Sequence, residues 1–282
     1  MSIKLVVSDL DGTIIDKNNS ISKKNFDAIK KLHKNKIKFS ICTGKTYSVS
    51  KEVCDKLKAD YGIFGNGTQI IDLHTEKELL RKTLSKDDLL FISTIAKRYN
   101  FHIHLYTINE LVTEKLEYMD LRNYVLKEKN NTHLKFKFVK NILEYIENHY
   151  LDVFSMIIST QDNTLMEFKK LISVNKNIDF AYINKRGIYK DLIINKDYEY
   201  LNIYPANTSK HEAVKFLSEY LKLQSENVMT VGDNVNDYEM VKNAGVGVAV
   251  KDSYEELKKV AKYITTSSVS DGAFAEAINK FI

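Results

Sequence analysis

The run Ile3-Lys4-Leu5-Val6-Val7-Ser8 leads without a break into Asp9-Leu10-Asp11-Gly12-Thr13. An apolar, β-branched run of this kind reads as a buried strand. Two carboxylates then flank a single leucine, directly before a glycine. Such a pair repels itself unless a cation or a proton intervenes, so it does not belong in a core. Open α/β sheets bind their ligands beyond the carboxyl ends of the strands. The N-terminus thus specifies a buried strand and, at its tip, a metal-assisted site with a carboxylate to spare for chemistry.

Strand and helix patterns then alternate. A helix is expected near 22–35, with Ser20 or Ser22 as its N-cap. Next come a strand at 37–42, a helix near 46–58 and a strand at 61–64. Gly65-Asn66-Gly67 signals a turn, and Thr68-Gln69-Ile70-Ile71 opens a hairpin. Alternation at this spacing implies a parallel sheet with right-handed crossovers. The middle reads differently. Strands are expected at 101–107, 134–139, 153–160, 179–183 and 189–194, with helices near 86–98, 114–129 and 162–174. Strands outnumber helices there, which predicts an antiparallel sheet with helices on one face. Beyond 200 the alternation returns: a helix near 208–222, a strand at 228–231, a helix near 236–243, a strand at 246–250 and two further short helices. The expected architecture is one parallel α/β core, 1–83 and 196–282, split by an α+β insertion at 84–195. With a single proline, Pro205, and few glycines, there is no flexible linker between the two.

Composition narrows the function classes. The chain has 282 residues, 44% hydrophobic and 28% charged, as in a soluble globular protein. Lys+Arg 42 against Asp+Glu 37 gives a net charge of +5. The basic residues are spread along the chain, with no arginine-rich block interleaved with aromatics, so nucleic acid is not an expected partner. Two cysteines, Cys42 and Cys54, make neither a disulfide framework nor a zinc site. Ser8 and Asp9 interrupt the N-terminal apolar run, and no run approaches membrane-spanning length. A cytoplasmic protein with no membrane partner is expected.

Four places carry the chemistry. The first is Asp9-Leu10-Asp11-Gly12-Thr13. The second is Cys42-Thr43-Gly44-Lys45, a hydroxyl and an open backbone where the second strand meets its helix. The third is Lys210, after Asn207-Thr208-Ser209, and the fourth is the acidic turn Gly232-Asp233-Asn234-Val235-Asn236-Asp237. Each alone is an ordinary turn, cap or solvated lysine. In a parallel sheet all four share one edge, which gathers carboxylates, a hydroxyl and an ammonium.

This set resembles the haloacid dehalogenase superfamily of phosphatases. The inserted middle and the run Asn243-Ala244-Gly245-Val246-Gly247-Val248-Ala249-Val250 resemble its Cof-type branch, which carries a large α+β cap. The resemblance implies a Rossmann-like parallel-sheet core with an inserted cap. It makes Asp9 the nucleophile and Asp11 the general acid and base. Gly12, Thr43, Gly44, Lys210 and Asn236 would hold the phosphoryl group. Mg²⁺ would bind the Asp9 carboxylate, the Asp11 backbone carbonyl and Asp233, with Asp237 in the metal's outer shell. Physical chemistry agrees with these roles. A cation offsets the repulsion between a carboxylate and a phosphate dianion, and fixed donors stabilise the charge on the equatorial oxygens. Backbone amides after Gly12 are expected among those donors. The chain departs from the family at Lys45, where arginine is usual, at His211, where glycine is usual, and at Lys251-Asp252, which replaces Gly-Asn.

In the insertion, Phe101-His102-Ile103-His104-Leu105-Tyr106 alternates. Phe101, Ile103 and Leu105 would pack on cap helices, while His102, His104 and Tyr106 line the other face. That row either contributes to a substrate pocket or faces solvent. The activity expected is a Mg²⁺-dependent phosphatase acting on small phosphorylated metabolites, such as sugar phosphates or phosphorylated cofactors. A phosphomutase using the same aspartyl-phosphate is the nearest alternative. A phosphoacceptor receiver module and a non-catalytic phosphate-ligand-binding protein are the rivals from other classes.

Overall fold

The computed structural model describes residues 2–108, 110–115, 135–182 and 198–282. They form two units, Met1–Arg81 with Ser209–Ile282, and Lys82–Thr208.

The first unit is built on an eight-stranded sheet in the order β14-β13-β12-β1-β2-β3-β4-β5. Its strands are β1 (Leu5–Ser8), β2 (Lys38–Cys42), β3 (Tyr61–Phe64), β4 (Gln69–Asp72), β5 (Lys77–Arg81), β12 (Val228–Gly232), β13 (Val246–Ala249) and β14 (Tyr263–Ile264). From β14 through β3 the pairing is parallel, whereas β4 and β5 fold back antiparallel. The strand order reverses between β1 and β12, where consecutive crossovers leave toward opposite edges. A crevice at such a switch point is the ordinary ligand position of a doubly wound sheet. β1 is buried throughout, and its apolar residues serve two cores. Val6 packs with Phe39, Ile41, Met229 and Val231 on one face. Leu5 and Val7 pack with Ile63, Val228 and Ala249 on the other. The hairpin expected from Thr68–Ile71 is closed by β5, whose range no apolar run marks: Lys77-Glu78-Leu79-Leu80-Arg81 is a half-exposed edge strand whose charged ends mask its apolar centre.

The helices α1 (Lys23–Lys34) and α2 (Tyr47–Leu57) follow β1 and β2. Ser22 caps α1, its Oγ accepting from the Asn25 amide. The helix buries Asn25, Ala28, Ile29 and Leu32, a 3.6-residue spacing. Asn25 is a polar group within that stripe, and both ends of its carboxamide are used. Nδ2 donates to the Ile14 carbonyl at 3.2 Å. Oδ1 accepts from the Ala275 amide at 3.1 Å, joining the loop after β1 to the C-terminal helix (Ala273–Phe281).

The second unit holds a six-stranded sheet in the order β10-β11-β9-β6-β7-β8. Its strands are β6 (His102–Thr107), β7 (Glu110–Thr113), β8 (Lys135–Phe138), β9 (Val153–Thr160), β10 (Ile178–Tyr182) and β11 (Glu199–Pro205). All pairs are antiparallel except β7 with β8. The helices α3 (Lys86–Arg98), α4 (Ile142–Asn148) and α5 (Leu165–Ile172) cover one face. Leu89, Ile92, Ile146, Phe168 and Ile172 pack there on Ile103, Leu105, Met156, Ile158 and Leu201. The expected strand at 189–194 and most of the expected helix at 114–129 lie outside the described residues.

One boundary needs correction. Residues 198–208 belong to this second unit and not to the core, because β11 is laddered between β9 and β10. The His102, His104 and Tyr106 row lies opposite Ile103 and Leu105, and its members differ: His102 and Tyr106 are half-buried. His104 is only 1% exposed, paired on β6 between Thr113 of β7 and Ile157 of β9. Among the described residues no helix is long and apolar enough to cross a membrane.

Asn25→Ala tests the link between the loop after β1 and the C-terminal helix. It strands a buried carbonyl and a buried amide, each costing about 1–3 kcal/mol. The expected loss is about 2–4 kcal/mol in urea unfolding; an unchanged midpoint would show that the two contacts are dispensable.

Candidate active site

The tips of β1, β2, β3 and β12 meet on one edge of the first unit's sheet. Asp9 leaves β1 with its amide donating to the Val231 carbonyl at 3.0 Å, in register with the neighbouring strand. One residue beyond β12 stands Asp233. The loop after Asp9 bends around it. Gly12 has φ +86°, a conformation that disfavours residues with a Cβ. A Cβ there would also collide with the Asp233 carboxylate. Thr13 Oγ1 then donates to Asp233 Oδ1 at 3.2 Å.

Lys210 opens the helix α6 (Lys210–Tyr220). Ser209 is the cap, its Oγ accepting from the Glu212 amide. The Lys210 side chain is 0% exposed. Its Nζ donates to Asp9 Oδ1 at 2.5 Å and to Asp237 Oδ1 at 2.6 Å. Burial works against the ammonium, but Asp237 and Asp9 outweigh it and hold Lys210 protonated well above the ordinary lysine range. The other oxygen of Asp237 accepts from the amides of Asp233 and Asn234, both at 3.0 Å. Asp237 therefore fastens the turn that presents Asp233, and has no oxygen unused.

Asp9 is in a different position. Lys210 takes Oδ1, while Oδ2 accepts no hydrogen bond among the described residues. Burial lifts its carboxyl well above the usual range; Lys210 opposes this, and Asp237 and Asp233 push it further up. Asp9, Asp233 and Asp237 each offer a carboxylate oxygen within 4.8 Å of the others. Among the described residues no other group of His, Cys, Asp and Glu clusters in this way. Three acidic side chains against one ammonium leave a deficit of positive charge, and hard oxygen donors suit a divalent cation. The cluster therefore fits a bound metal.

Asp11 lies farther out and is half-exposed. Lys45 Nζ donates to Asp11 Oδ1 at 2.7 Å, so the lysine that stands at the usual arginine position holds this carboxylate. Thr43 is buried. Its Oγ1 accepts from the Lys45 amide at 3.2 Å, leaving the hydroxyl proton to donate elsewhere. Gly44 is exposed, and its amide meets no carbonyl among the described residues. The amides at and after Gly12 depart from expectation. Gly12 donates to the Ile15 carbonyl at 2.8 Å and Thr13 to the Leu10 carbonyl at 3.3 Å. Between Asp9 and Ile15, the amides of Leu10 and Asp11 meet no carbonyl among the described residues. Gly12 serves the site through the room it gives Asp233.

The structure thus brings Asp9, Asp11, Thr43, Gly44, Lys210, Asp233, Asn236 and Asp237 to one edge of one unit. Sequence reasoning missed Asn66, whose Oδ1 accepts from Asn236 Nδ2 at 2.9 Å. Its signal was the Gly-Asn-Gly turn at the tip of a core strand, read only as a turn. His102, His104 and Tyr106 belong to the second unit. His104 Nε2 lies 3.4 Å from the Lys115 carbonyl, and burial pushes its imidazole down to about 3, so it is neutral.

Residues 6–278 match the family described as haloacid dehalogenase-like hydrolases. The chain is 26% identical to the 5-amino-6-(5-phospho-D-ribitylamino)uracil phosphatase YcsE of Bacillus subtilis, covering 100% of this chain and 97% of that protein. Its fold is similar to that of BT1666 from Bacteroides thetaiotaomicron, a phosphatase of the haloalkanoate (HAD) enzyme superfamily. The TM-score is 0.80 at 21% identity, covering 99% and 95% of the two chains. It is also similar to the subclass IIB sugar phosphatase BT4131, with a TM-score of 0.75 at 16% identity, covering 99% and 98%.

Replacing Lys210 by Met leaves Asp9 and Asp237 buried together without their cation. Breaking a buried ion pair from one side costs about 3–5 kcal/mol, and urea unfolding should register a loss of that size. Adding Asp237→Asn should recover part of it. If Lys210→Met is as stable as the parent, the ammonium is not what holds these carboxylates.

Proposed function

The chain belongs to the haloacid dehalogenase-like hydrolase family, and we propose that it is a Mg²⁺-dependent phosphatase that cleaves small phosphorylated metabolites by way of an aspartyl-phosphate on Asp9. The observation that carries this reading is the asymmetry of the Asp9 carboxylate. One oxygen is fixed by a buried ammonium, and the other accepts no hydrogen bond among the described residues. A nucleophile needs this orientation, held from behind and open in front.

Asp9 Oδ2 attacks the phosphorus, and the bond to the substrate oxygen breaks. Asp11 gives that oxygen its proton and then takes one from the water that hydrolyses the aspartyl-phosphate. Lys45 orients the Asp11 carboxylate through these two steps. The Thr43 hydroxyl and the amides of Leu10, Asp11 and Gly44 offer donors to the phosphoryl oxygens, and Lys210 offsets charge from beneath. Asp9 and Asp233 would hold the metal, with the Asp11 carbonyl beside them, while Asp237 supports the turn. When bound, Mg²⁺ supplies positive charge that lowers the repulsion between carboxylate and phosphate.

The unit Lys82–Thr208 is the proposed cap, the part of the chain that selects the substrate. Sugar phosphates and phosphorylated cofactors are the substrate class, in keeping with a relative named for a phosphorylated ribityl compound and a fold neighbour named as a sugar phosphatase.

Phosphate release from a panel of such esters is the direct assay. Asp9→Asn should lower it by at least about 10³-fold, and EDTA should abolish it until Mg²⁺ is restored. Turnover by Asp9→Asn near the parent rate would falsify the nucleophile assignment. Lys45→Ala should lower kcat at least about tenfold while Lys45→Arg keeps most of it, since charge at that point is what orients Asp11. Equal loss in both variants would mean that the ammonium itself is required.

A further inference from the structure

Asn66 occupies a left-handed backbone position. It follows β3 between Gly65 and Gly67, with φ 56° and ψ 29°. A residue with a Cβ is disfavoured in this left-handed region, although asparagine tolerates it better than most. Seven other described non-glycine residues, Lys36 and Glu76 among them, take a similar positive φ, so what sets Asn66 apart is where this turn puts its carboxamide.

Its surroundings are two of the loops proposed to bind the phosphoryl group. The Asn66 amide donates to the Thr43 carbonyl at 3.1 Å, and the Gly65 amide to the Lys45 carbonyl at 3.0 Å. The Asn66 carboxamide lies against Gly44, where an added Cβ would come within 3.2 Å of both its oxygen and its nitrogen. On the other side its Oδ1 accepts from Asn236 Nδ2 at 2.9 Å, a bond between residues 170 positions apart in the chain. Asn236 stands in the turn between Asp233 and Asp237. The Gly65–Gly67 turn thus touches the loop after β2 through its backbone and the loop after β12 through one carboxamide.

We propose that Asn66 is a positioning residue for phosphoryl binding: it fixes the Asn236 carboxamide against the Thr43–Gly44 turn, so that donors from the two loops meet one phosphoryl group. The inference rests on the phosphatase reading, since that reading makes Thr43, Gly44 and Asn236 the binding groups. Asn66 acts through Asn236 and the Gly44 turn. The bond it makes is between neutral amides, so its loss should cost roughly tenfold in binding and leave the chemical step in place.

The test uses the full chain with Mg²⁺ and inorganic phosphate as the probe, read by calorimetry. Asn66→Gly keeps the left-handed backbone and removes only the carboxamide. It should raise the Kd for phosphate roughly tenfold without lowering the urea midpoint. In an Asn236→Ala background the same change should cost less than about twofold, because its target is already gone. Asn66→Asp provides a second variant that tolerates this backbone and keeps the acceptor. Its added negative charge should weaken phosphate at least as much as Asn66→Gly. Phosphate binding by Asn66→Gly within about twofold of the parent overturns the proposal, whatever the charge in Asn66→Asp does. So do losses from Asn66→Gly and Asn236→Ala that simply multiply in the double variant. Failure of the parent chain to bind phosphate overturns the phosphatase reading and this proposal together, whereas binding that Asn66 variants leave intact overturns only the role of Asn66.

Discussion

A fully buried ammonium between two carboxylates organises this site. Lys210 reaches Asp9 and Asp237 from the first turn of its helix, and all three side chains are withdrawn from water. Removing charges from water costs several kcal/mol per ion, and only close geometry with further hydrogen bonds repays it. Here the further bonds run to the main chain. Asp237 accepts two amides from the turn that carries Asp233. The Lys210 contact therefore ties three segments together: the tip of β1, the start of α6 and the turn after β12.

That tie divides the acidic residues by availability. Asp237 is saturated. Asp9 is held on one oxygen only. Asp233 is cradled by the curve at Gly12 and touched by the Thr13 hydroxyl. Asp11, half-exposed and paired with Lys45, is the one carboxylate set apart from the buried cluster. A carboxylate that must shuttle a proton in the proposed reaction benefits from this separation, because the deep cluster favours whichever groups can share a cation. Four similar side chains thus reach different chemistry through their donors.

The apolar strands and the Asp9, Thr43, Lys210 and Asp233 positions were legible because local rules place them. Buried runs give strands, parallel strands give one shared edge, and a serine cap gives the start of α6. What escaped was set by tertiary context. β5 is too polar for an apolar-run criterion, since an edge strand needs only one partner and a masked centre. The return from the insertion falls at Ser209 because β11 finds its partners in β9 and β10, and pairing partners are not written into a strand's own residues. His104 alternates as a polar residue should, yet it is buried; alternation assigns a face and leaves open what lies over it. The amides at Gly12 and Thr13 were matched to a ligand by spacing, whereas the loop closes on itself through Ile15 and Leu10.

Asn66 shows why a turn dipeptide carries less information than its neighbours. Glycine-rich turns at strand tips are common, and the sequence gives no distance to a residue 170 positions away. Only the folded sheet places β3 beside β2 and lets a carboxamide reach Asn236. A doubly wound sheet assembles its site from loops on different strands, so each loop must be fastened to the next or the donors drift apart. Lys210 fastens the loops from below with charge, where water is excluded and charge is strong. Nearer the surface an ion would be screened, and a neutral carboxamide on a rigid left-handed turn does the same work by shape.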